Sequence, residues 1–289
     1  MDERYQTISF LSDYGTRDEF VGVVHSVIRQ IAPSAGVIDV THEITPFDVR
    51  AASLALARAA QYLAPGIVLG VVDPGVGGKR RAVAVEVGNG TSILVGPDNG
   101  LLAPAVAMVG GASRAVELTN TEYHFEAPGP TFAGRDIFAP VAAYLSSGVP
   151  LEEFGPELDP NLLTPSLIPL PREENGGLEA EVLWIDQYGN VQLNLGPEDL
   201  EAHGEAIRVV VGDIERSAYK VSTFSELTTG RLGFLVDSYG LIALVLDQAS
   251  AAADLGLGDS DAVRIEAFDE ANPSHSAPSV KVELRGFGA

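Results

Sequence analysis

Residues 67–81 read Ile-Val-Leu-Gly-Val-Val-Asp-Pro-Gly-Val-Gly-Gly-Lys-Arg-Arg, an apolar run opening into a Pro/Gly turn that carries one carboxylate and two guanidinium groups. Ile67–Val72 reads as a strand. Strand ends that open into glycine turns are where α/β proteins place chemistry, because the backbone there approaches a ligand closely. The turn is not a phosphate loop. Asp73 stands where such a loop needs its first glycine, and Arg80 stands where it needs Ser or Thr. A carboxylate at that point would repel a phosphate. On its own the motif fits a structural turn with a surface ion pair equally well.

Outward from this segment, strands and helices alternate. Thr7–Leu11 and Val37–Val40 are short apolar strands, and between them Phe20, Val23, Val24, Val27, Ile28 and Ile31 recur at helical spacing. Val49–Leu63 is an Ala-rich helix; Ala82–Val87 and Ser92–Val95 read as strands around an Asn89-Gly90 hairpin turn. Asn99–Met108 and Asp136–Ser146 look helical. This alternation predicts an N-terminal α/β domain over residues 1–160 with a mostly parallel central sheet. Pro160–Gly177 holds four prolines and two glycines without periodicity, so residues 161–177 read as a linker. Residues 178–289 read as an all-β, barrel-like C-terminal domain. Its strands are Glu179–Ile185, Val191–Leu195, Ile207–Val211, Leu232–Val236, Leu241–Leu246 and Ala262–Ala267, with a helix only after Pro197. From Asp269 on the chain starts polar and reads as partly disordered.

With 46% apolar and 20% charged residues among 289, the composition is that of a soluble globular protein. The absence of cysteine excludes disulfides, thiol nucleophiles and Cys-ligated metals. A formal charge of −22 argues against nucleic-acid binding, which needs clustered Lys and Arg. No long uncharged apolar stretch suggests a membrane span, and Met-Asp-Glu-Arg has no signal-peptide character, so a cytoplasmic protein is expected.

Several post-strand loops carry polar groups. Ser12-Asp13-Tyr14-Gly15-Thr16 lies where an open α/β sheet binds ligands, and Asp13 suits ribose hydroxyls. Capping of the next helix by Asp13 or Thr16 is an equal reading. In Thr41–Asp48, His42 and Glu43 lack partners at metal-like spacing, and Thr45 or Asp48 reads as a helix cap. Gly96-Pro97-Asp98-Asn99-Gly100 is another strand-end turn. Asp136 reads as an N-terminal helix charge, and His124 as a surface loop histidine. In the second half, Asp186-Gln187-Tyr188-Gly189-Asn190 is a turn between strands. Its Asn190 offers the donor–acceptor pair that matches an adenine edge, with Tyr188 and Phe224 as stacking faces.

Six segments then match one family in order: Phe10–Thr16, Ile44–Val49, Val71–Gly77, Val95–Leu101, Thr131–Asp136 and Ile185–Asn190. Together they resemble the S-adenosylmethionine hydroxide adenosyltransferases, relatives of the fluorinase and chlorinase. The resemblance implies an N-terminal α/β domain, a C-terminal β-barrel, and a homotrimer with the ligand between domains of neighbouring subunits. It implies hydrolysis of S-adenosylmethionine to adenosine and methionine, without metal or other cofactor. Family members orient the attacking water with Asp, Arg and His, which match Asp73, Arg80 and the position of Ala133. Alanine in place of that histidine implies impaired turnover. By the same matching, Asp13 is the ribose ligand, Phe47 a wall near the sugar, and Asn190 the adenine reader between Tyr188 and Phe224. Thr131, Phe132 and Asp186 complete the substrate contacts, while Asp18 and Ser238 correspond to contacts of the methionine amino and carboxylate groups. Tyr239 stands where the halogenases have arginine. Two alternatives accompany this reading: a non-catalytic binder of S-adenosylmethionine or adenosine, and a halide-dependent adenosyltransferase. The Asp73–Arg80 pair argues against the second, since the halogenases lack it and an anionic Asp73 disfavours halide.

Overall fold

The computed structural model describes residues 5–166 and 168–268, so the polar tail from Asp269 and the N-terminal Met-Asp-Glu-Arg lie outside the described residues. The chain divides into two compact units, one ending at residue 167 and the other beginning at Ile168.

The first unit is built on β1 (Thr7–Ser12), α1 (Phe20–Ile31), β2 (Gly36–Thr41), α2 (Val49–Ala60), β3 (Ile67–Val71), β4 (Ala82–Val87), β5 (Ser92–Pro97), α3 (Ala103–Met108), β6 (Ala112–Glu117), α4 (Ala139–Ser146) and β7 (Glu157–Leu158). Its sheet runs β2-β1-β3-β5-β4-β6-β7. Strands β2, β1, β3 and β5 pair in parallel, while β4 and β7 run against their neighbours, so five of the seven strands point one way. Every residue of β3 is buried, as a central strand covered on both faces requires. Its side chains alternate between two cores. Ile67, Leu69 and Val71 pack with α1 and α4, whereas Val68 and Val72 pack with α2 and α3. Val24, Val27 and Ile28 form the buried stripe of α1, matching the predicted spacing. Asp48 caps α2 by accepting the Ala51 N–H at 2.8 Å, one of the two roles expected of that loop.

The boundaries differ from expectation where backbone chemistry intervenes. The 88–90 link is a 3₁₀ turn with Asn89 at φ 55°, so the hairpin loop is longer than a two-residue turn. The segment expected as one helix over 136–146 begins as a π-helical turn, Gly134–Phe138, before α4. Residues 99–102 are tight turns, and the helix starts only at Ala103.

The second unit contains β8 (Arg172–Glu174), β9 (Gly177–Ile185), β10 (Val191–Leu193), β11 (Ala206–Val211), β12 (Ile214–Lys220), β13 (Leu232–Val236), β14 (Ile242–Val245), α5 (Ala251–Leu255) and β15 (Ala262–Ala267). The order β10-β14-β13-β12-β11-β15-β9 closes through a β9–β10 pairing into a seven-stranded barrel, with β8 added on β9. Closure removes open edges, and the inward positions fill one core around Val182, Leu193, Val209 and Ile265. Four strands and one helix were not anticipated: β6 and β7 of the first unit, and β8, β12 and α5 of the second. Arg172–Glu174, inside the stretch read as linker, has three exposed residues, and in β12 only Ala218 is fully buried, so neither shows a clear apolar alternation. The short helix α5 starts at Ser250, whose hydroxyl caps it. The segment after Pro197 is a 3₁₀ helix. Among the described residues no helix is long and apolar enough to cross a membrane.

Candidate active site

In the order β2-β1-β3-β5 the chain leaves β1 toward β2 and returns across it to β3, so the switch of direction falls between β1 and β3. Ligand crevices open at that point, at the carboxyl ends of the strands. Asp13 follows β1 and Asp73 follows β3, and the two flank the switch.

Asp73 lies two residues beyond Val71, the last residue of β3. Arg80 returns to it with a fork: Nε donates to Oδ1 at 2.9 Å and to Oδ2 at 3.0 Å, and Nη2 also donates to Oδ2. The side chains are 6% and 15% exposed, so this is a half-sealed, bidentate pair and not the surface ion pair that the motif also allowed. The Arg80 guanidinium lies 5.3 Å from the Phe138 ring centroid, which fixes its plane. Tight turns make the fold-back possible: Val76 N–H donates to Asp73 O, and Gly78 N–H to Gly75 O. Gly77 has φ +73°, and a Cβ there would sit 2.8 Å from Pro130 O, so only glycine lets this turn touch the 130–133 segment.

That segment brings position 133 to the pair. Ala133 is buried at the start of the π-helical turn and lines a cleft of about 390 Å³ with Gly77, Arg80, His124 and Asp136. The expectation that His124 is a surface residue fails here. Its neighbour Tyr123 is wedged against Tyr144 (5.1 Å) and Phe154 (4.7 Å), and Phe125 N–H donates to Asp136 O at 2.7 Å, which together turn His124 into the cleft wall. Its Nε2 is shielded from solvent and has no hydrogen-bond partner among the described residues, and burial pushes its pKa below the usual value. Asp136 is forked by Arg135, Nε to Oδ1 at 2.6 Å and Nη2 to Oδ2 at 3.1 Å.

Tyr14 was part of the loop motif but had no role assigned. Its ring packs on Phe10, Phe20 and Phe132 at 5.5–6.4 Å. A Cβ on Gly134 would lie 2.2 Å from its hydroxyl, so Gly134 is required for the ring to reach the turn. Burial, and then the charges of Asp13, Asp73 and Asp136, push the Tyr14 hydroxyl far above its usual range, with Arg80 opposing. It stays protonated, a neutral donor among three carboxylates.

Asp13 does not cap α1, whose first turn has no side-chain cap. Its Oδ2 accepts the Phe47 N–H at 2.9 Å, which ties the β1 loop to the β2 loop. Phe47 holds φ 70°, strained for a bulky residue, and its ring is 73% exposed. Asp18 and Thr131 are exposed, whereas Phe132 is half-buried. Asp98 and Asn99 are structural. Asp98 accepts Arg81 Nε at 2.8 Å and Thr164 N–H at 2.7 Å, and Asn99 Nδ2 donates to Val72 O at 2.8 Å.

In the barrel unit, Asp186 organises its turn: Oδ1 accepts the N–H groups of Tyr188 and Asn190, each at 2.9 Å, and Oδ2 accepts Asn190 Nδ2 at 2.7 Å. This leaves the Asn190 carbonyl oxygen unclaimed by that network and the Tyr188 ring 72% exposed. Gly189 has φ +82°, and a Cβ there would lie 2.1 Å from Ser250 Oγ. Ser238 is in another turn, where Asp237 Oδ1 accepts Tyr239 N–H at 2.8 Å. The register Val191↔Leu244 sets the 186–190 turn beside the C-terminal end of β14, whereas Ser238 precedes the N-terminal end of that strand. Phe224, 56% exposed, is in a third loop.

Sequence models of the SAM hydroxide adenosyltransferase N-terminal and C-terminal domains match residues 8–155 and 180–264. An (R)-S-adenosyl-L-methionine hydrolase from Salinispora tropica is 45% identical over 90% of this chain and 97% of its own length. A fluorinase from Actinoplanes sp. is 28% identical over 85% of this chain and 92% of its own. The crystal structure of an uncharacterized conserved protein from Thermotoga maritima superposes with a TM-score of 0.83 at 36% identity, covering 90% of this chain and 99% of that one.

Proposed function

The chain belongs to the SAM hydroxide adenosyltransferase family, and within it we propose that Asp73 and Arg80 form the polar half of the reaction site. The chain is an S-adenosyl-L-methionine hydrolase. Water attacks the ribose 5′ carbon in line with the departing sulfur. The C–O bond forms as the C–S bond breaks, sulfur keeps the bonding pair, and methionine leaves as a neutral thioether. Adenosine keeps one proton of the water and the other is released. Because the leaving group needs no proton, catalysis concerns the water alone. The Arg80 fork fixes the carboxylate plane and offers positive charge to hydroxide character on oxygen, and Asp73 orients the water or receives its proton. The observation that carries this assignment is the forked, half-sealed Asp73–Arg80 pair beside the β1/β3 switch point.

Asp13, Phe47, Thr131 and Phe132 are assigned to the sugar end of the substrate. Asp186, Tyr188, Asn190 and Phe224 are assigned to adenine, and Asp18 and Ser238 to the methionine end. The spread of Asn190 and Ser238 to opposite ends of β14 supports recognition of an elongated ligand at its two ends. The reading includes a cytoplasmic homotrimer with sites completed between subunits, and no cofactor. Ala133 supplies no side-chain group to hold the water, so turnover is slow. That same residue favours a second reading, a binder of S-adenosylmethionine or adenosine without turnover. Chromatography of S-adenosylmethionine incubated with the protein, with and without chloride or fluoride, tests the assignment. Adenosine and methionine in equal amounts, independent of halide, are expected. Halide-dependent 5′-haloadenosine overturns hydrolysis, and unchanged substrate with retained binding establishes the second reading.

A further inference from the structure

We propose that His25, Asp39 and His42 form a site for one divalent transition-metal ion of the zinc, cobalt and nickel class, behind the loop that carries Asp13. Three elements converge there: His25 comes from α1, Asp39 from β2 and His42 from the loop after it. Their ligating atoms lie within 4.8 Å of one another, and no other group of three such ligands occurs among the described residues. Both imidazole Nε2 atoms face one carboxylate oxygen, at 2.8 Å from His25 and 3.0 Å from His42. A tetrahedral ion with bonds near 2.0–2.1 Å needs its donors about 3.3 Å apart. Opening the two carboxylate contacts by a few tenths of an ångström brings them to that spacing.

The donor set and its surroundings agree with this class of ion. Two neutral imidazoles and one carboxylate suit zinc, cobalt and nickel, and three protein ligands leave one position open. His42 is 5% exposed, and its Nδ1 meets Ser12 Oγ at 2.8 Å, the outer contact that fixes a metal-binding imidazole. The Phe10 ring lies against both imidazoles, at 6.2 Å and 4.6 Å between centroids. His25 and Asp39 remain partly open to solvent, which gives the ion a route in.

The site borders the substrate loop. Ser12 directly precedes Asp13, and His42 O accepts the Gly15 N–H at 2.7 Å. An ion on His42 would brace both ends of the Asp13–Tyr14 segment, which makes this a structural site that stiffens the loop and not a reaction centre.

The test uses the full-length, untagged protein after chelator treatment, titrated with cobalt(II) by visible absorption and with zinc(II) by equilibrium dialysis. One ion per chain is expected, reversed by chelator, with a rise in thermal midpoint. His25→Ala is expected to weaken cobalt binding by at least ~100-fold, since loss of even an outer-shell partner costs about 10–100-fold, and Ser12→Ala by about tenfold. His25→Gln, which keeps a side chain of similar length, provides a second variant if His25→Ala folds poorly by circular dichroism. Absence of saturable one-to-one binding by the native chain overturns the proposal. So does identical titration of the native chain and a folded His25 variant.

Discussion

Replacing Ala133 by histidine adds an imidazole at the one position where the chain lacks a group beside the Asp73–Arg80 pair. The structure sets the expected size of the effect. Ala133 is 7% exposed and opens on a cleft of about 390 Å³, so the new ring has space on the side of Arg80 and His124. Backbone around it is held by the Gly134–Tyr14 contact and by Phe125 N–H on Asp136 O, so the ring starts from a fixed anchor. A positioned general base or acid contributes about 10²–10⁴-fold, or about 3–5 kcal/mol of barrier. Asp13, Phe47 and the Asp186–Asn190 turn are untouched, so adenosine affinity is expected to change by less than about threefold, within 1 kcal/mol. Single-turnover formation of adenosine from S-adenosylmethionine, measured by chromatography for the native chain and Ala133→His, gives the ratio. Calorimetry with adenosine gives the affinities. Equal single-turnover rates in two folded proteins would refute the reasoning, because they would show that a side chain at 133 does not reach the attacking water.

Arg80→Ala leaves the Asp73 side chain, 6% exposed, without its counter-ion, and is expected to lower folding stability by about 3–5 kcal/mol in denaturant titration and to abolish turnover; Arg80→Lys, which keeps charge but not the fork, should recover stability more than rate. Gly134→Ala forces a Cβ to 2.2 Å from the Tyr14 hydroxyl and is expected to cost about 1–3 kcal/mol. Adding Tyr14→Phe removes that clash and should restore part of the stability in thermal unfolding, although the ring carbons remain close. His124 has its pKa lowered by burial, so on acidification the unfolded chain takes up the proton before the native one does. Stability is therefore expected to fall as pH drops below the ordinary histidine value near 6.5, and His124→Gln should flatten that part of the stability–pH curve; an unchanged curve would show that the ring is solvated in the native state.

Reading the chain alone reached the architecture because its evidence is periodic and local. Ile67–Val72 can bury both faces only in a sheet covered on both sides, and the 24/27/28 stripe of α1 needs a helix. Six ordered motifs reached the family. Short-range geometry also narrowed the α2 cap to Thr45 or Asp48, of which the structure uses Asp48, and the turn that Asp186 organises around Asn190 lies where the motif set it. Elements without apolar alternation escaped: β12 keeps only Ala218 fully buried, and the exposed β8 lies within a proline-rich stretch. The start of the 134–146 helix escaped as well, since nothing in Gly-Arg-Asp-Ile-Phe separates a π turn from an α turn.

The identity of the charged pair and its neighbours was within reach of the sequence, since Asp73 and Arg80 sit on one turn and their pairing is a matter of a few backbone angles. Long-range coincidence was not. His124 joins the cleft because Tyr123 wedges between Tyr144 and Phe154, and His25 meets Asp39 and His42 because α1 packs back onto the sheet edge. Contacts of that kind depend on how whole elements pack, and no spacing along the chain encodes them. Composition, periodicity and motif order thus determined the fold class and the family, whereas which imidazoles face which carboxylates was decided only when the helices packed onto the sheet.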